Sequence, residues 1–305
     1  MKTVRSFLPS LCALCLLCAL CVTCVSCEKA VFDEEPTIDS DANVIVRVSS
    51  LEQIPFTTNS SDTRAQQDIT ELCTRLNFVI FDSQGNKVKN LAQKASDSSF
   101  GTASFSLSEG SYQLVIIAHN SDGTATVTAA DKITFPNNIV TDTFYYYGTL
   151  TVGSGQQTYD LQLRRVVSMF RLALTSPLSS SVHKLKFYYT GGSSTFSAVS
   201  GYGCVQSRQT VTITVENGQQ TFDVYTFPHE ESDVLKMTIT ALDAQDNAID
   251  EQVFEEVPVT RNQITRYTGS LFGNSSGGGS EGDSNTSNIR MTADGEWAAT
   301  NDRQF

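Results

Sequence analysis

The sequence predicts an all-β protein with two successive β-sandwich domains behind a removable leader. Three observations carry that prediction. Between Val44 and Leu271 apolar residues recur at every second position, the period of a strand with one face in a core and the other in water. The apolar runs are short and bounded by Gly, Asn, Asp or Ser, the residues that turns favour. Helical periodicity with caps is nearly absent, Ala65 to Leu72 being the best short candidate. With 305 residues and 40% hydrophobic side chains, the chain is long enough for two cores and too apolar for wholesale disorder. Its 33 acidic against 21 basic side chains, a net charge of −12, argue against a nucleic-acid partner, because phosphate contacts need clustered Lys and Arg.

The leader comes first. Lys2 and Arg5 precede an apolar run from Phe7 to Val22. At about 16 residues this run is short for a bilayer span and right for a secretory signal. Six of the eight cysteines stand in it or just after it, at 12, 15, 18, 21, 24 and 27. Such C-x-x-C spacing suits an iron–sulfur or zinc site, but the intervening Leu, Ala and Val offer no acidic or histidine partners and no hairpin glycines. The ladder ends in Cys24-Val25-Ser26-Cys27-Glu28, a small residue before a cysteine with polarity rising after it. This resembles the lipobox of bacterial lipoproteins, with Cys24 in place of the usual leucine. Cys24 is a competing acceptor, but Thr23 before it suits the peptidase less well than Ser26 does. The resemblance implies that residues 1–26 leave as a lipoprotein signal peptide and that Cys27 carries a covalent lipid, the chain's sole non-protein group. At about 0.8 kcal/mol per buried methylene, three acyl chains hold a protein to a membrane almost irreversibly. Loss of Lys2 and Arg5 leaves 19 basic against 33 acidic side chains, a net charge of −14. Residues 27–40 form a tether, whose Glu28, Asp33, Glu34 and Glu35 read either as a loose match to the acidic tract of surface-displayed lipoproteins or as a solvated spacer.

Residues 41–157 form the first predicted sandwich. Val44, Val46 and Val48 alternate with polar residues, and Phe78 to Phe81, Ser104 to Leu107 and Tyr112 to His119 follow as strands. Asp82-Ser83-Gln84-Gly85-Asn86 and Leu107-Ser108-Glu109-Gly110-Ser111 supply Gly or Asn for hairpin positions, so consecutive strands are expected to pair antiparallel. Residues 158–272 form the second. Its strands are Tyr159 to Leu163, Val166 to Leu174, His183 to Tyr189, Val211 to Val215, Phe222 to Phe227, Leu235 to Leu242, Gln252 to Val257 and Ile264 to Leu271. Each piece has about 115 residues, the size of a seven-stranded sandwich. Two local echoes suggest duplication. Phe81 to Val88 resembles Leu242 to Ile249, and Gly155 to Leu161 resembles Gly218 to Val224. Their offsets disagree, so recurring turn chemistry explains them as well as duplication does.

Catalytic signals are missing. His119, His183 and His229 have no metal-ligand spacing to one another, and His229-Glu230-Glu231 lacks the second histidine of a zinc helix. Asp243-Ala244-Gln245-Asp246-Asn247 lacks the alternating carboxylates of a calcium loop and reads as a hairpin tip. The sequence holds no G-x-S-x-G and no phosphate-cradling glycine loop before a helix. It therefore indicates a non-enzymatic protein with no metal and no cofactor. Cys73 and Cys204 form a disulfide or stay as two buried thiols. Tyr145-Tyr146-Tyr147 suggests either a sugar platform or ordinary packing, in which Tyr145 and Tyr147 share one strand face and Tyr146 the other.

The C-terminal segment has its own pattern. Residues 273–288 are Gly-, Ser- and Asn-rich with no apolar side chain, a flexible linker with a reach of roughly 20 to 24 Å. In residues 289–305, Ile289, Met291, Ala293, Gly295 and Trp297 alternate with Arg290, Thr292, Asp294 and Glu296. This is an extended strand with one apolar or small face. It either closes its own sandwich or pairs with the edge of another subunit, as in donor-strand complementation.

The lipobox, acidic tether, two sandwich-sized regions, the central Leu161-Gln162-Leu163-Arg164-Arg165-Val166-Val167-Ser168-Met169-Phe170-Arg171-Leu172 stretch and the Trp297 strand are together similar to type V fimbrial subunits of Bacteroidetes-type bacteria. Within them the chain looks most like the fimbrillin-associated anchor protein family. The resemblance implies two transthyretin-like Greek-key sandwiches and an outer-membrane lipoprotein at the cell surface. It also implies other fimbrial subunits as partners and strand exchange as the means of assembly. Shaft subunits of that group lose their first strand to a protease that cuts after an arginine, and Arg64 is the corresponding candidate here. A permanent anchor stays uncut. The competing class is a surface glycan-binding lipoprotein.

Overall fold

The computed structural model describes residues 41–52 and 69–271, together with the backbone of Arg290–Met291. Cys27, Arg64, Ile289, Ala293, Gly295 and Trp297 lie outside the described residues. Strands dominate, as the period-2 pattern predicts. The first half contains β1 (Val44–Leu51), a one-turn helix α1 (Ile69–Leu72), β2 (Arg75–Phe81), β3 (Lys87–Lys94), β4 (Thr102–Phe105) and β5 (Gly110–His119). The short β6 (Thr126–Ala129) and β7 (Lys132–Thr134) precede β8 (Thr143–Val152) and β9 (Gln157–Arg165). The second half contains β10 (Ser168–Leu174), β11 (Lys184–Thr190), the short β12 (Thr195–Ser197) and β13 (Tyr202–Gly203), then β14 (Arg208–Thr214), β15 (Thr221–Thr226), β16 (Ser232–Leu242), β17 (Ala248–Thr260) and β18 (Ile264–Gly269). Arg290–Met291 form β19.

The two halves share one connectivity. In the first, β1 lies between β9, which runs parallel to it, and β4, which runs antiparallel. The facing sheet has the order β3-β2-β5-β8. In the second, β10 lies between a parallel β18 and an antiparallel β15, opposite a sheet of order β14-β11-β16-β17. Strand for strand these are the same Greek-key sandwich. Each has its own core. Val44 and Val46 of β1 meet Leu76, Phe78 and Ile80 of β2, and Phe170 and Leu172 of β10 meet Leu185, Phe187 and Tyr189 of β11.

The halves differ in their insertions and in one closure. The β6–β7 and β12–β13 hairpins pair through β7 and β12, with Ile133 opposite Phe196, in one small sheet of order β13-β12-β7-β6. Its apolar residues join Val79, Phe81, Val115 and Ile117 from the outer face of β2 and β5, together with Val166, Val167 and Phe227, in a third cluster. That cluster holds residues of both halves. In the first half, Phe144 and Tyr145 of β8 also pair with Arg165 and Arg164 of β9, joining both sheets into a seven-stranded one.

Several expectations need correction. Leu107 to Ser111 is no hairpin, because β4 pairs with β1 and β5 with β2 and β8, on facing sides of the sandwich, and the chain crosses between them there. Ala103 and Phe105 must face the core from the β1 side, which forces the crossing. The run Val166 to Leu174 is not one strand. Val166 and Val167 are buried in the third cluster, where the chain leaves the first sheet and enters the second. The strand starting at Gln157 pairs with β1 as far as Leu163 and then with β8 at Arg164 and Arg165, so the passage between the two halves falls after Arg165. The helix expected over Ala65 to Leu72 is described only as Ile69–Leu72.

Both echoed segments are turns of shared chemistry at non-equivalent places. Between β2 and β3, Asp82 Oδ1 accepts the backbone N–H groups of Gln84 (2.9 Å) and Asn86 (2.8 Å). Between β16 and β17, Asp243 Oδ1 accepts those of Gln245 (2.9 Å) and Asn247 (2.8 Å). The left-handed position is Gly85 in one turn, φ +81°, and Asp246 in the other, φ +65°. The first turn joins the second and third strands of its sandwich, and the other joins the fifth and sixth of its own. Convergent turn chemistry explains the echo, whereas the duplication lies in the strand order.

Candidate functional site

Two features of the fold are the candidates, the edge of β18 and the passage between the halves. β18 has β10 on one side, and on the other it receives β19, with Tyr267 opposite Met291 and Thr268 opposite Arg290. Of the alternating face expected of the terminal segment, Met291 is thus on a strand next to β18 of its own chain. Tyr267 points into the second core, and its hydroxyl donates to the Glu256 carbonyl at 3.3 Å. The edge that receives the terminal segment therefore belongs to a strand that the core holds rigidly.

The passage is built around Arg165. Its guanidinium makes a two-point contact with Asp142, Nε to Oδ1 at 2.8 Å and Nη2 to Oδ2 at 3.0 Å, and lies 4.6 Å over the Phe144 ring. Nη1 reaches Asn262 Oδ1 in the β17–β18 turn at 3.5 Å. The Asn262 N–H donates to the Val167 carbonyl at 2.8 Å, so this turn also holds the backbone of the passage. Burial raises the Asp142 carboxyl above its ordinary pKa, although the charge and hydrogen bonds of Arg165 pull it down. Arg165 lies inside the stretch that carried the family resemblance. Asp142 had no signal in the sequence, because a lone acid before an aromatic strand looks like any loop residue.

The remaining candidates fall in separate places. His119 is fully buried, edge-on to Phe135 at 5.4 Å, and its Nδ1 accepts the Ser121 N–H. Burial, then the positive charge of Arg75, lower its pKa to about 4. His229 sits between the Asp233 carboxylate (2.7 Å) and the Val205 carbonyl (3.0 Å). His183 Nδ1 lies 3.1 Å from the Ser181 carbonyl oxygen. Cys73 and Cys204 are both free thiols. Cys73 is buried, and that burial pushes its pKa up to about 12, which leaves little thiolate to react. Cys204 is exposed, which corrects the expectation of two buried thiols. It stands after β13, a two-residue strand with too little apolar sequence around it to cover the sulfur. Tyr145 and Tyr147 pack on the shared cluster and Tyr146 on the first core, the division that strand alternation predicts. A surface cavity of about 450 Å³ is lined by Phe81, Asp82, Ser111, Tyr112, Asp131 and Tyr147 among others.

The fold and its edge define a tandem pair of Greek-key sandwiches that share an apolar cluster, with a short terminal strand paired beside β18. Residues 35–297 match the fimbrillin-A associated anchor proteins Mfa1 and Mfa2, and the chain belongs to that family. The match runs through the linker and the terminal segment as far as Trp297. Among solved structures the fold is shared with a candidate polysaccharide-binding protein of Bacteroides thetaiotaomicron. That protein is 11% identical with a TM-score of 0.50, over 86% of this chain and 98% of that one. A candidate adhesin of Bacteroides ovatus is 11% identical with a TM-score of 0.49, over 84% and 94% of the two chains. The fimbrial anchor protein Mfa2 of Porphyromonas gingivalis is 10% identical with a TM-score of 0.40, over 85% and 99%. No curated protein matches the chain. The family is one of fimbrial anchor proteins rather than enzymes, and membership implies association with other fimbrial components at the cell envelope.

Proposed function

We propose that the chain is an outer-membrane lipoprotein, held by lipid on Cys27, that serves as anchor or structural subunit of a type V fimbria and takes part in adhesion. Assembly proceeds by β-strand exchange involving the segment Ile289, Met291, Ala293, Gly295 and Trp297. The observation that carries this reading is the pairing of Arg290–Met291 with the outer edge of β18. A strand that arrives on a 16-residue linker and pairs at a rigid edge can be replaced there by the same segment of a neighbour. Processing at Arg64 would remove β1, whose Val44 and Val46 are fully buried between β4 and β9, and would open the first core along a central strand.

Mass spectrometry of the surface protein tests the anchor. A mature chain beginning at lipidated Cys27 is expected, whereas one beginning at Ala65 identifies a processed shaft or tip subunit. Deleting residues 289–305 tests strand exchange and is expected to abolish attachment of the fimbrial shaft. If the deletion leaves attachment intact and abolishes glycan retention instead, the chain is a glycan-binding lipoprotein. The cavity beside Tyr112 and Tyr147 would then be the place to look for the sugar.

A further inference from the structure

Among the described residues the outer strands of the two sandwiches include β4, β14 and β15, and two others, β3 and β17, carry charge of opposite sign. β3 is an outer strand of the seven-stranded sheet, and Lys87–Lys94 carries three lysines and no acid. β17 is an outer strand of the corresponding sheet in the second half, where residues 248–256 carry Asp250, Glu251, Glu255 and Glu256 and no base. In the first half the strand equivalent to β17 is β8, and β9 pairs with one end of its edge at Phe144 and Tyr145. In the second half β18 pairs with β10 and β19 instead, so among the described residues no strand pairs with the outer edge of β17. Both open strands also expose apolar side chains, Val88 on β3 and Ile249 and Val253 on β17.

An unpaired edge is a template for another strand, and charges of one sign keep identical edges apart. Lysines opposing lysines and carboxylates opposing carboxylates both repel. The same charges attract when a basic edge meets an acidic one. We infer that β3 of one copy pairs with β17 of the next, a heterologous contact between copies of this chain. Both edges remain available after one contact forms, so the contact repeats and produces open rows rather than a closed dimer. Lys87 also donates to the Val127 carbonyl and Glu255 is bridged by Lys236, which leaves Lys89, Lys94, Asp250, Glu251 and Glu256 as the complementary charges. The contact is independent of Cys27 lipidation and of the terminal segment.

The test uses the full chain in excess mild detergent, so that lipid tails are taken up one to a micelle, with mass read by sedimentation velocity against concentration. The expected result is association that continues past the dimer at low salt, about 20 mM, and weakens roughly tenfold or more at about 0.5 M. Lys89→Glu with Lys94→Glu makes both edges acidic, and Asp250→Lys with Glu251→Lys, Glu255 being neutralised by Lys236, leaves two lysines against Glu256 alone and makes both edges net basic. Each double variant alone is expected to stay monomeric, and a mixture of the two is expected to associate again, since every acidic edge then finds a basic one. Circular dichroism checks that these exposed substitutions leave the fold intact. A wild type that stays monomeric at low salt overturns the inference. So does a dimer that survives both double variants, or a mixture no more associated than its components. Deleting residues 289–305 is expected to leave the association unchanged, which separates this contact from strand exchange.

Discussion

The two sandwiches have the same strand order and different boundaries. In the first, pairing of Phe144 and Tyr145 in β8 with β9 joins both sheets at one end of the sixth strand. In the second the sheets stay separate, the sixth strand is open, and the seventh strand receives the terminal segment. The comparison teaches that core and assembly capacity are set by different residues. Phe78 and Phe187 do the same work in their respective cores, while what the edges can bind follows from which neighbours the last strand selects. Arg165 makes that selection in the first half, because its pairing with Asp142 and its place over Phe144 draw the end of β9 against β8.

The strongest way to probe this comparison is to damage the cluster shared by both halves. Phe227→Ala, at a fully buried side chain of that cluster, is expected to destabilise by about 3–5 kcal/mol. Hydrogen exchange should then rise in β2 and β16 alike. Phe170→Ala in the second core should cost about as much while sparing β2. Loss of protection in one half only after Phe227→Ala would mean that the halves are energetically separate.

Next in size is the passage. Asp142→Ala leaves the Arg165 charge buried without its carboxylate and should cost about 3 kcal/mol in denaturant titration. Adding Arg165→Met should recover much of the loss, since the uncompensated charge is then gone. A single variant with unchanged stability would show that this ion pair does not decide the closure of the first sandwich.

His119 gives the first half a pH dependence of its own. Its pKa is 6.5 in the unfolded chain and about 4 in the folded one, so between those values the unfolded state holds more proton. Stability is therefore lost as pH falls from 6.5 toward 4, by on the order of 2–3 kcal/mol over the whole window. His119→Phe should flatten the thermal melting profile over this range. An equally steep profile in the variant would place the sensitivity elsewhere. The smallest expected effect compares the two turns of shared chemistry. Gly85→Asp should destabilise by about 1 kcal/mol, because only glycine takes a positive φ without strain, while Asp246→Gly relieves that strain but loses the 2.7 Å ion pair with Lys184 and should gain less. Equal and opposite shifts in melting temperature would show that this ion pair contributes nothing.

Strands were legible in the sequence in two ways. β16 alternates because Leu235, Met237, Ile239 and Ala241 face a core, whereas β5 reads as the continuous apolar run Leu114 to Ala118 because both of its faces are covered. β3 was missed, since an edge strand written Lys-Val-Lys-Asn-Leu-Ala-Gln-Lys is largely solvated and has little apolar alternation to read. The β6–β7 and β12–β13 hairpins were missed because two to four residues cannot establish a period, and their stability comes from pairing with each other across about 60 residues of chain. The crossing at Leu107 to Ser111 looked like a hairpin because turn residues report a change of direction and not the sheet in which the chain continues. Of the candidate site, Met291 was placed on an apolar strand face by alternation alone, and its strand is found next to β18. The β18 edge itself could not be read, since pairing between residues 267 and 291 is nonlocal and depends on which strand of the sandwich comes last.

The parallel pairing of first and last strands in each half bears on how the chain carries load. Val44 lies beside Gln157 and Leu51 beside Leu163, so tension entering at the N-terminal end of β1 and leaving at the C-terminal end of β9 runs along the ladder. Its hydrogen bonds are then strained together in shear and cannot open one after another like a zipper. The same geometry recurs between Met169 beside Ile264 and Leu174 beside Gly269 in β10 and β18. Because β9 passes into β10 through only Val166 and Val167, the two ladders lie in series along the path of the pull. A chain held by one end and loaded at the other would thus meet that load with two shear-resistant clamps.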